Sequence, residues 1–509
     1  MINGLFFLFR IGLSYARIGE TSEYKEERKM TEPTLNMPLV QAIQRHSQTK
    51  PHSFHVPGHK NGSIIPTGLE DFKNILHYDL TEIEGMDDLH DPTGPIKEAQ
   101  QLLAKYYQAS ESFFLVGGTT VGNLAMVYAL CEPGDVVFVQ RNSHKSILHA
   151  VELAGVTPVY LASEVDESTG IAMGVTEEIL QEALQNYPEA TALIMTYPTY
   201  YGVCRSPEKV IQRAQQAGLL VMVDEAHGAH FAIGEPFPVS ALSVGADVVV
   251  HSAHKTLPAL TMGSYLHVGE RLHANQITKI KRALSIFQSS SPSYLIMASL
   301  DAARAYLQSY TNEQLTSTIA SIQAFKEGIS LIPQLEVVQW EKSGYSYDPL
   351  KVTIKSISSL TGYQLQELLH HGGIDVEMAD EQHILLVMGL EPMEKRGAML
   401  SKLSGLLATY QVNENQQQKE SFRHVSSEEY IKHIHTYKTK RIRFWEAEGW
   451  IAAEAVIPYP PGIPLLYPGQ QIDKAVLQQI DQLQQAGARF QGIDVVENGI
   501  CVAELEDRI

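Results

Sequence analysis

The sequence predicts an α/β protein with a mostly parallel central sheet, then a smaller α+β domain and a separate C-terminal domain. Three observations carry this. Between about residues 96 and 255, short apolar runs alternate with helix-length segments. Such runs mark strands buried on both faces, as in parallel sheets. After a long helical region near 272–330 the texture changes to short strands mixed with helices. The chain also has 509 residues, more than one hydrophobic core usually serves.

In order, residues 38–50 read as a short helix. HSFHVPGHKNG (52–62) is too rich in His, Gly and Pro for a regular element. Residues 96–109 read as a helix, FFLV (113–116) as a strand, GGTT (117–120) as a tight turn and 121–130 as the next helix. DVVFVQ (135–140) is a strand, SILHAVELAG (146–155) a helix and TPVYL (157–161) a strand. A helix over 176–186 leads to the strand ATALIMTYP (190–198), and one over 207–217 leads to LLVMVDEAHG (219–228), a strand with a functional tip. VSALSVG (239–245) reads as a short helix before the strand ADVVVHSAHK (246–255).

LEVVQW (335–340), YDPLKVTIKS (347–356), a helix near 361–371, IDVEMADEQHILLVM (374–388) and a helix near 394–413 compose the α+β domain. QVNENQQQKESFRHVSSEE (411–429) is polar and linker-like, although Arg423 and His424 could pack. AEGWIAAEAVIPYPPGIPLLYPGQ (447–470) holds Pro458, Pro460, Pro461, Pro464 and Pro468, which make it a stiff wall. A terminal helix near 471–487 follows. The expected boundaries are an N-terminal extension (1–37), an N-terminal segment with the large domain (38–330), the α+β domain (331–413), a linker (414–430) and the C-terminal domain (431–509).

The formal net charge is −19, from 39 basic and 58 acidic residues, with no long basic stripe. Nucleic-acid binding needs concentrated positive charge and is not expected. An acidic surface favours the approach of cationic small molecules. Cys131, Cys204 and Cys501 have neither metal-ligand spacing nor the number for a disulfide framework, so reduced thiols and a cytoplasmic setting are expected. The apolar patch in MINGLFFLFRIGLSY is broken by Arg10 and too short to span a bilayer. It has no convincing cleavage pattern, so no stable membrane insertion is expected; a peripheral contact is the alternative. Met30 or Met37 could be the true start.

The chemistry centres on VVVHSAHKTLPAL (248–260), where an apolar run delivers Ser252, His254 and Lys255 to one place. Asp224 ends the preceding run, VMVD, 31 residues earlier. Ligands of α/β enzymes gather at the carboxyl ends of such strands. An acid and a lysine on neighbouring strand ends fit pyridoxal 5'-phosphate chemistry, with Lys255 joined to the cofactor and Asp224 opposite its ring nitrogen. Taken alone, Asp224 could be a cap or half a salt bridge, and most lysines are simply solvated. Gly118, Thr119 and Thr120 of GGTT offer backbone and hydroxyl donors to a phosphate, with Ser252 and His254 beside them. His144, in RNSHKS, could stack on the cofactor ring. His227 could bond the cofactor's phenolic oxygen or position substrate. Either could instead be a satisfied structural histidine.

No metal is expected. His52, His55 and His59, and the DEAHGAH stretch (224–230), lack the HExxH spacing and its helix. DEAH has no GxxxxGK[ST] partner, which argues against an ATPase.

Several motifs together, FHVPGHKNG (54–62), GMDDLHDPTG (85–94), GGTTVGN (117–123), RNSHKS (141–146), VDEAHGAH (223–230), HSAHK (251–255) and PYPPGIPLLYPG (458–469), resemble the ornithine/lysine/arginine decarboxylase family. The resemblance covers nearly everything after residue 38. It looks closest to the short Gram-positive branch, which lacks an N-terminal wing domain. It implies a fold-type-I pyridoxal-phosphate enzyme that removes the α-carboxyl group of a basic amino acid. Lys255 is then the Schiff-base lysine, Asp224 the ring-nitrogen partner and His144 the stacking group. Thr119, Thr120, Ser252 and His254 lie on the phosphate side. The resemblance also implies a homodimer or an assembly of dimers, with Ser290 or Ser291 of QSSSPSY reaching a neighbouring site. Lys255 and His254 are both candidate proton donors to the product carbon. A cationic substrate calls for a distal acid, and Asp87, Asp88, Glu377, Asp380 and Glu454 are candidates. The branch points to arginine, giving agmatine, ahead of lysine and ornithine. Aminotransfer or aldol cleavage, and a non-catalytic cofactor-binding homologue, are the competing readings.

Overall fold

The computed structural model describes residues 35–166, 169–340, 344–413, 437–459, 462–492 and 494–508. The expectations for residues 1–34, the linker 414–430, Arg423, His424, Pro460 and Pro461 fall outside the described residues.

The large sheet has seven strands: β1 (Glu111–Leu115), β2 (Val136–Gln140), β3 (Thr157–Leu161), β4 (Ala192–Thr196), β5 (Leu220–Asp224), β6 (Val248–His251) and β7 (Ser264–Val268). Their spatial order is β1-β7-β6-β5-β4-β2-β3. The five from β6 to β3 run parallel. β7 runs antiparallel to both β1 and β6, so the sheet is mixed but mostly parallel, as expected. The sequence reading has no strand at SYLHV, where Tyr265 and His267 blur the apolar run that marks the other strands.

Alternation along the central strands feeds two cores. Val221, Val223 and Val249 face one apolar layer, and Met222, Val248 and Val250 face the other. That is the two-residue period of a strand covered on both faces.

Three local expectations need correction. GGTT is not a turn ahead of a helix: the helix runs Gly118–Leu130, with Gly117 as its cap. The reason is close packing. A Cβ on Gly122 would meet Val250 Cγ1 at 2.5 Å and Leu115 Cδ1 at 2.8 Å, so only glycine lets the helix lie this close to β1 and β6. VSALSVG is a series of turns, pinned where Ala241 N donates to the buried Glu225 Oε2 at 2.8 Å. Lys255 is not at the end of a strand; β6 stops at His251 and Lys255 sits in a four-residue helical turn, Ala253–Thr256.

The smaller sheet is antiparallel: β8 (Leu335–Val337), β9 (Lys351–Ser356), β10 (Met378–Ala379) and β11 (His383–Val387), in the order β8-β9-β11-β10. Residues Tyr345–Tyr347 pair with Val203–Arg205 and draw the start of β9 against the tip of β5. His230 Nε2 then meets Asp348 Oδ1 at 3.0 Å, both fully buried. Near the C-terminus, Tyr437–Ile442 pairs with Ile500–Arg508 around its own apolar cluster. The Tyr467 hydroxyl donates to the Arg141 carbonyl and joins this part to the large sheet's loops. The helix Pro38–Gln48 is anchored at its N-terminus, where Leu39 N donates to Asp301 Oδ2 at 3.0 Å; Asp301 is itself paired with the buried Arg304. Among the described residues, no helix is long and apolar enough to cross a membrane.

Candidate active site

The parallel pairing sets Asp224 of β5 beside Val250 of β6. Their carboxyl ends, the first turn of the helix Gly118–Leu130 and the near edge of the smaller sheet enclose a cavity of about 540 Å³. Asp224, Lys255, His144, His227, His254, Ser252, Gly118, Thr119 and Thr120 all line it, as does Glu377.

Asp224 is buried, 3 % exposed. Its Oδ2 accepts from Asn123 Nδ2 at 2.8 Å and its Oδ1 from Ala226 N at 3.2 Å. Asn123 stands one helical turn after Thr119, on the same face. It is fixed in turn by a 2.9 Å bond to Ser146 Oγ. Among the described residues Asp224 has no ion-pair partner, so a buried carboxylate faces the cavity with only neutral donors around it. A buried anion of this kind calls for a cation.

At the opposite side hydroxyls converge. Thr119 Oγ1 bonds Ser252 Oγ and lies 3.2 Å from Ser264 Oγ, at a helix N-terminus. The donors and the helix dipole together suit an anion. His254 Nδ1 donates to the Gly263 carbonyl at 3.0 Å, and burial holds its pKa below the ordinary value. His144 Nδ1 is tied to Ser146 Oγ at 2.8 Å, and burial also lowers its pKa. A Cβ on Gly462 would come 3.3 Å from His144 Cδ2, so the proline-rich wall backs this ring through a glycine.

Lys255 Nζ lies 3.0 Å from His227 Nε2. Burial lowers the lysine's pKa, against the opposing pull of Asp224 and Glu377. On the other side of the same ring, Lys351 Nζ lies 3.0 Å from His227 Nδ1. Burial, then the two lysines, hold His227 well below its ordinary value. Tyr200 packs on the His227 ring at 4.4 Å and donates its hydroxyl to Glu377 Oε1 at 2.5 Å.

The five acids proposed for a distal pocket separate. Glu377 alone lines the cavity. Asp87 is a loop-and-helix cap: its carboxylate accepts from the backbone N–H of Thr93, Gly94 and Ile96 at 2.8–3.0 Å. Asp88 belongs to the same loop and accepts from His90 N. Asp380 lies off the cavity lining, bonded to Tyr201 and His383; burial opposes its ionisation, but these partners and the Gln382 N–H hold its pKa below normal. Glu454 forms a two-pronged pair with Arg441 at 2.9 and 2.9 Å. Ser290 and Ser291 are exposed and do not line this chain's own cavity. DEAHGAH also divides: Glu225 and His230 leave the cavity for His251 and Asp348.

Sequence reasoning missed Asn123, Tyr200 and Lys351. Asn123 had a signal, its spacing of four from Thr119. So did Lys351, a lysine inside the apolar run PLKVTI that the fold buries to 3 % exposure. Tyr200 had none.

Models of two parts of one family match the chain: the Orn/Lys/Arg decarboxylase major domain over residues 37–342, and its C-terminal domain over 411–508. The chain belongs to the Orn/Lys/Arg decarboxylase family. The uncharacterized protein YaaO of Bacillus subtilis is 44% identical over 90% of this chain and 96% of its own length. The arginine decarboxylase of Halalkalibacterium halodurans is 34% identical over 89% of this chain and 95% of its own. Among solved structures, the Francisella novicida lysine decarboxylase LdcF superposes with a TM-score of 0.79 at 20% identity, over 92% of this chain and 82% of that one. That likeness concerns the fold. The expected family, fold type and decarboxylase class are all met.

Proposed function

We propose that this decarboxylase uses pyridoxal 5'-phosphate and acts on arginine, releasing agmatine and carbon dioxide. The observation that carries the cofactor is the pair formed by Asp224 and Lys255: a buried carboxylate without a cation and a buried amine, facing one cavity. A pyridinium N–H suits Asp224, and the hydroxyls of Thr119 and Ser252 at the helix N-terminus suit the phosphate. When bound, the cofactor supplies an electron sink for the electron pair left as carbon dioxide departs.

The chain's own residues do the rest. Lys255 would hold the cofactor through its amine, the position that a substrate amine would take over. Asn123 and the Ala226 N–H hold Asp224 in place, so that it keeps the ring nitrogen protonated. His144 supports the ring. Its burial and that of His254 keep both imidazoles neutral. Lys255 would hand a proton to the product carbon; His254, neutral and with its one N–H given to the Gly263 carbonyl, has none to offer. Glu377, oriented by Tyr200, receives the distal cation of the substrate. Arginine is favoured by the arginine decarboxylases that cover 95% of their length with this chain.

The purified chain, supplied with the cofactor, should convert arginine to agmatine with an equal amount of carbon dioxide. Lysine and ornithine, giving cadaverine and putrescine, should react far more slowly. A dominant cadaverine or putrescine signal would overturn the arginine assignment, and keto acid without carbon dioxide would overturn the reaction. Glu377→Gln should raise KM for arginine by roughly fivefold, as expected for removing one charge from a solvent-accessible pair. An unchanged KM would place the distal cation elsewhere.

We infer a cytoplasmic homodimer as the working form. Phe54 is 94% exposed and Phe72 51%, on a stretch of loop and short helical turns that shows several large apolar side chains to solvent. Ser290 and Ser291, exposed and outside this chain's own cavity, would then serve a neighbouring chain.

A further inference from the structure

His227 stands between two lysines, 3.0 Å from each, through opposite ring nitrogens. Neutral imidazole has one N–H and one lone pair. It can accept from one ammonium only. The second lysine must then present its own lone pair to the ring N–H. Doubly protonated imidazole would face two ammonium groups with two N–H bonds, the worst arrangement of charge. The geometry therefore satisfies both contacts when the two lysines share a single extra proton.

We propose that Lys351 is a positioning residue that stores, through His227, the proton Lys255 must shed before its amine can react. In one state Lys255 is an ammonium donating to Nε2, while Nδ1–H donates to the neutral amine of Lys351. In the other, Lys255 is neutral and accepts from Nε2–H, while the Lys351 ammonium donates to Nδ1. One proton leaves Lys255 for Nε2 as another passes from Nδ1 to Lys351. Charge and proton count are unchanged, and no co-reactant is needed.

The surroundings suit two states close in energy. Asp224 and Glu377 favour the charge on Lys255, and Asp348 and Glu377 favour it on Lys351. His144 and His230 also face His227 and disfavour its protonation, and Tyr200 covers one face of the ring. Burial draws Lys351 down to about 8, so it can gain or lose a proton near neutral pH. Its stem is held too: a Cβ on Gly202 would lie 2.5 Å from Lys351 Cγ, and Gly202 has a φ of +77° that favours glycine.

The inference rests on Lys255 being the cofactor-linking lysine, but its test does not. The full-length chain, freed of cofactor, is labelled with trace acetic anhydride across a pH series. Mass spectrometry reads Lys255 and Lys351 against the exposed Lys105. In the wild type, both cavity lysines should become reactive below the pH of Lys105 and in two separate steps. Lys351→Met removes the store, so Lys255 should keep its proton longer. Its profile should move up by roughly 1 pH unit, about tenfold in labelling rate at a fixed pH below the midpoint. Lys351→Arg keeps the charge but cannot give up a proton. It should leave the Lys255 profile at or below that of the wild type while slowing turnover. A Lys255 profile unmoved by either variant overturns the proposal. Should neither variant fold, the wild type decides: two lysines that titrate together with Lys105 overturn it. Failure of the Lys255 assignment itself would appear separately, as retained cofactor absorption in Lys255→Ala.

Discussion

Lys255→Ala should lower turnover by on the order of 10⁴-fold or more, because it removes the nucleophile assigned to hold the cofactor. His227 is the nearest nitrogen, but it sits at 3.0 Å as a partner of Lys255 and is itself held by Lys351. The visible absorption of the lysine-bound cofactor should disappear, and the cofactor should be lost on dialysis. The fold should survive. Burial lowers the proton affinity of Lys255, so its folded pKa lies below the unfolded one. Its penalty to stability therefore grows as pH falls below the ordinary lysine range, and the alanine variant escapes it. The thermal midpoint at neutral pH should stay level or rise. Turnover within tenfold of wild type would remove Lys255 from the mechanism.

Asp224→Asn should reduce kcat by roughly 10²- to 10³-fold while the cofactor still binds, the size expected for removing one preorganised electrostatic partner. The substitution keeps the shape, and the new amide oxygen can still accept from Asn123. What it loses is the charge that holds a proton on the cofactor ring. A split result is thus expected, with cofactor absorption present and carbon dioxide release slow. Equal loss of both would mean that Asp224 mainly anchors the cofactor, and full activity would exclude it from either role.

The centre of this site was legible because its two poles end apolar runs. Asp224 follows VMV and Lys255 follows VVVHSAH, and a charged residue has few reasons to sit there. Neighbouring strands then bring the two poles together. The distal acids were not legible on the same logic. Sequence cannot distinguish a free carboxylate from one already occupied. Asp87 is consumed by backbone N–H groups six to nine residues ahead, at the start of a helix, and Glu454 by an arginine thirteen residues behind. Lys351 was hidden by the opposite effect. It lies in the smaller sheet, whereas Lys255 follows a strand of the large one, and the pairing of Tyr345–Tyr347 with Val203–Arg205 helps carry it to His227. The helical turn that carries Lys255 was missed because four residues are too few to show a period.

The fully buried pair of His230 and Asp348 has a mechanical consequence. His230 belongs to the loop after β5 and Asp348 to the approach to β9, so the pair rivets the two sheets together outside the cavity lining. Swinging the smaller sheet outward as a rigid body would separate two fully buried hydrogen-bond partners, at about 1–3 kcal/mol for a buried group left unsatisfied. Lys351 would leave His227 in the same movement. A hinge between the two sheets is therefore the costly way to admit an amino acid. Entry is instead expected at the rim, where Tyr459 and Ile463 line the cavity from the C-terminal part of the chain. The catalytic groups can then stay assembled through the whole cycle, with exchange of substrate and product confined to that rim.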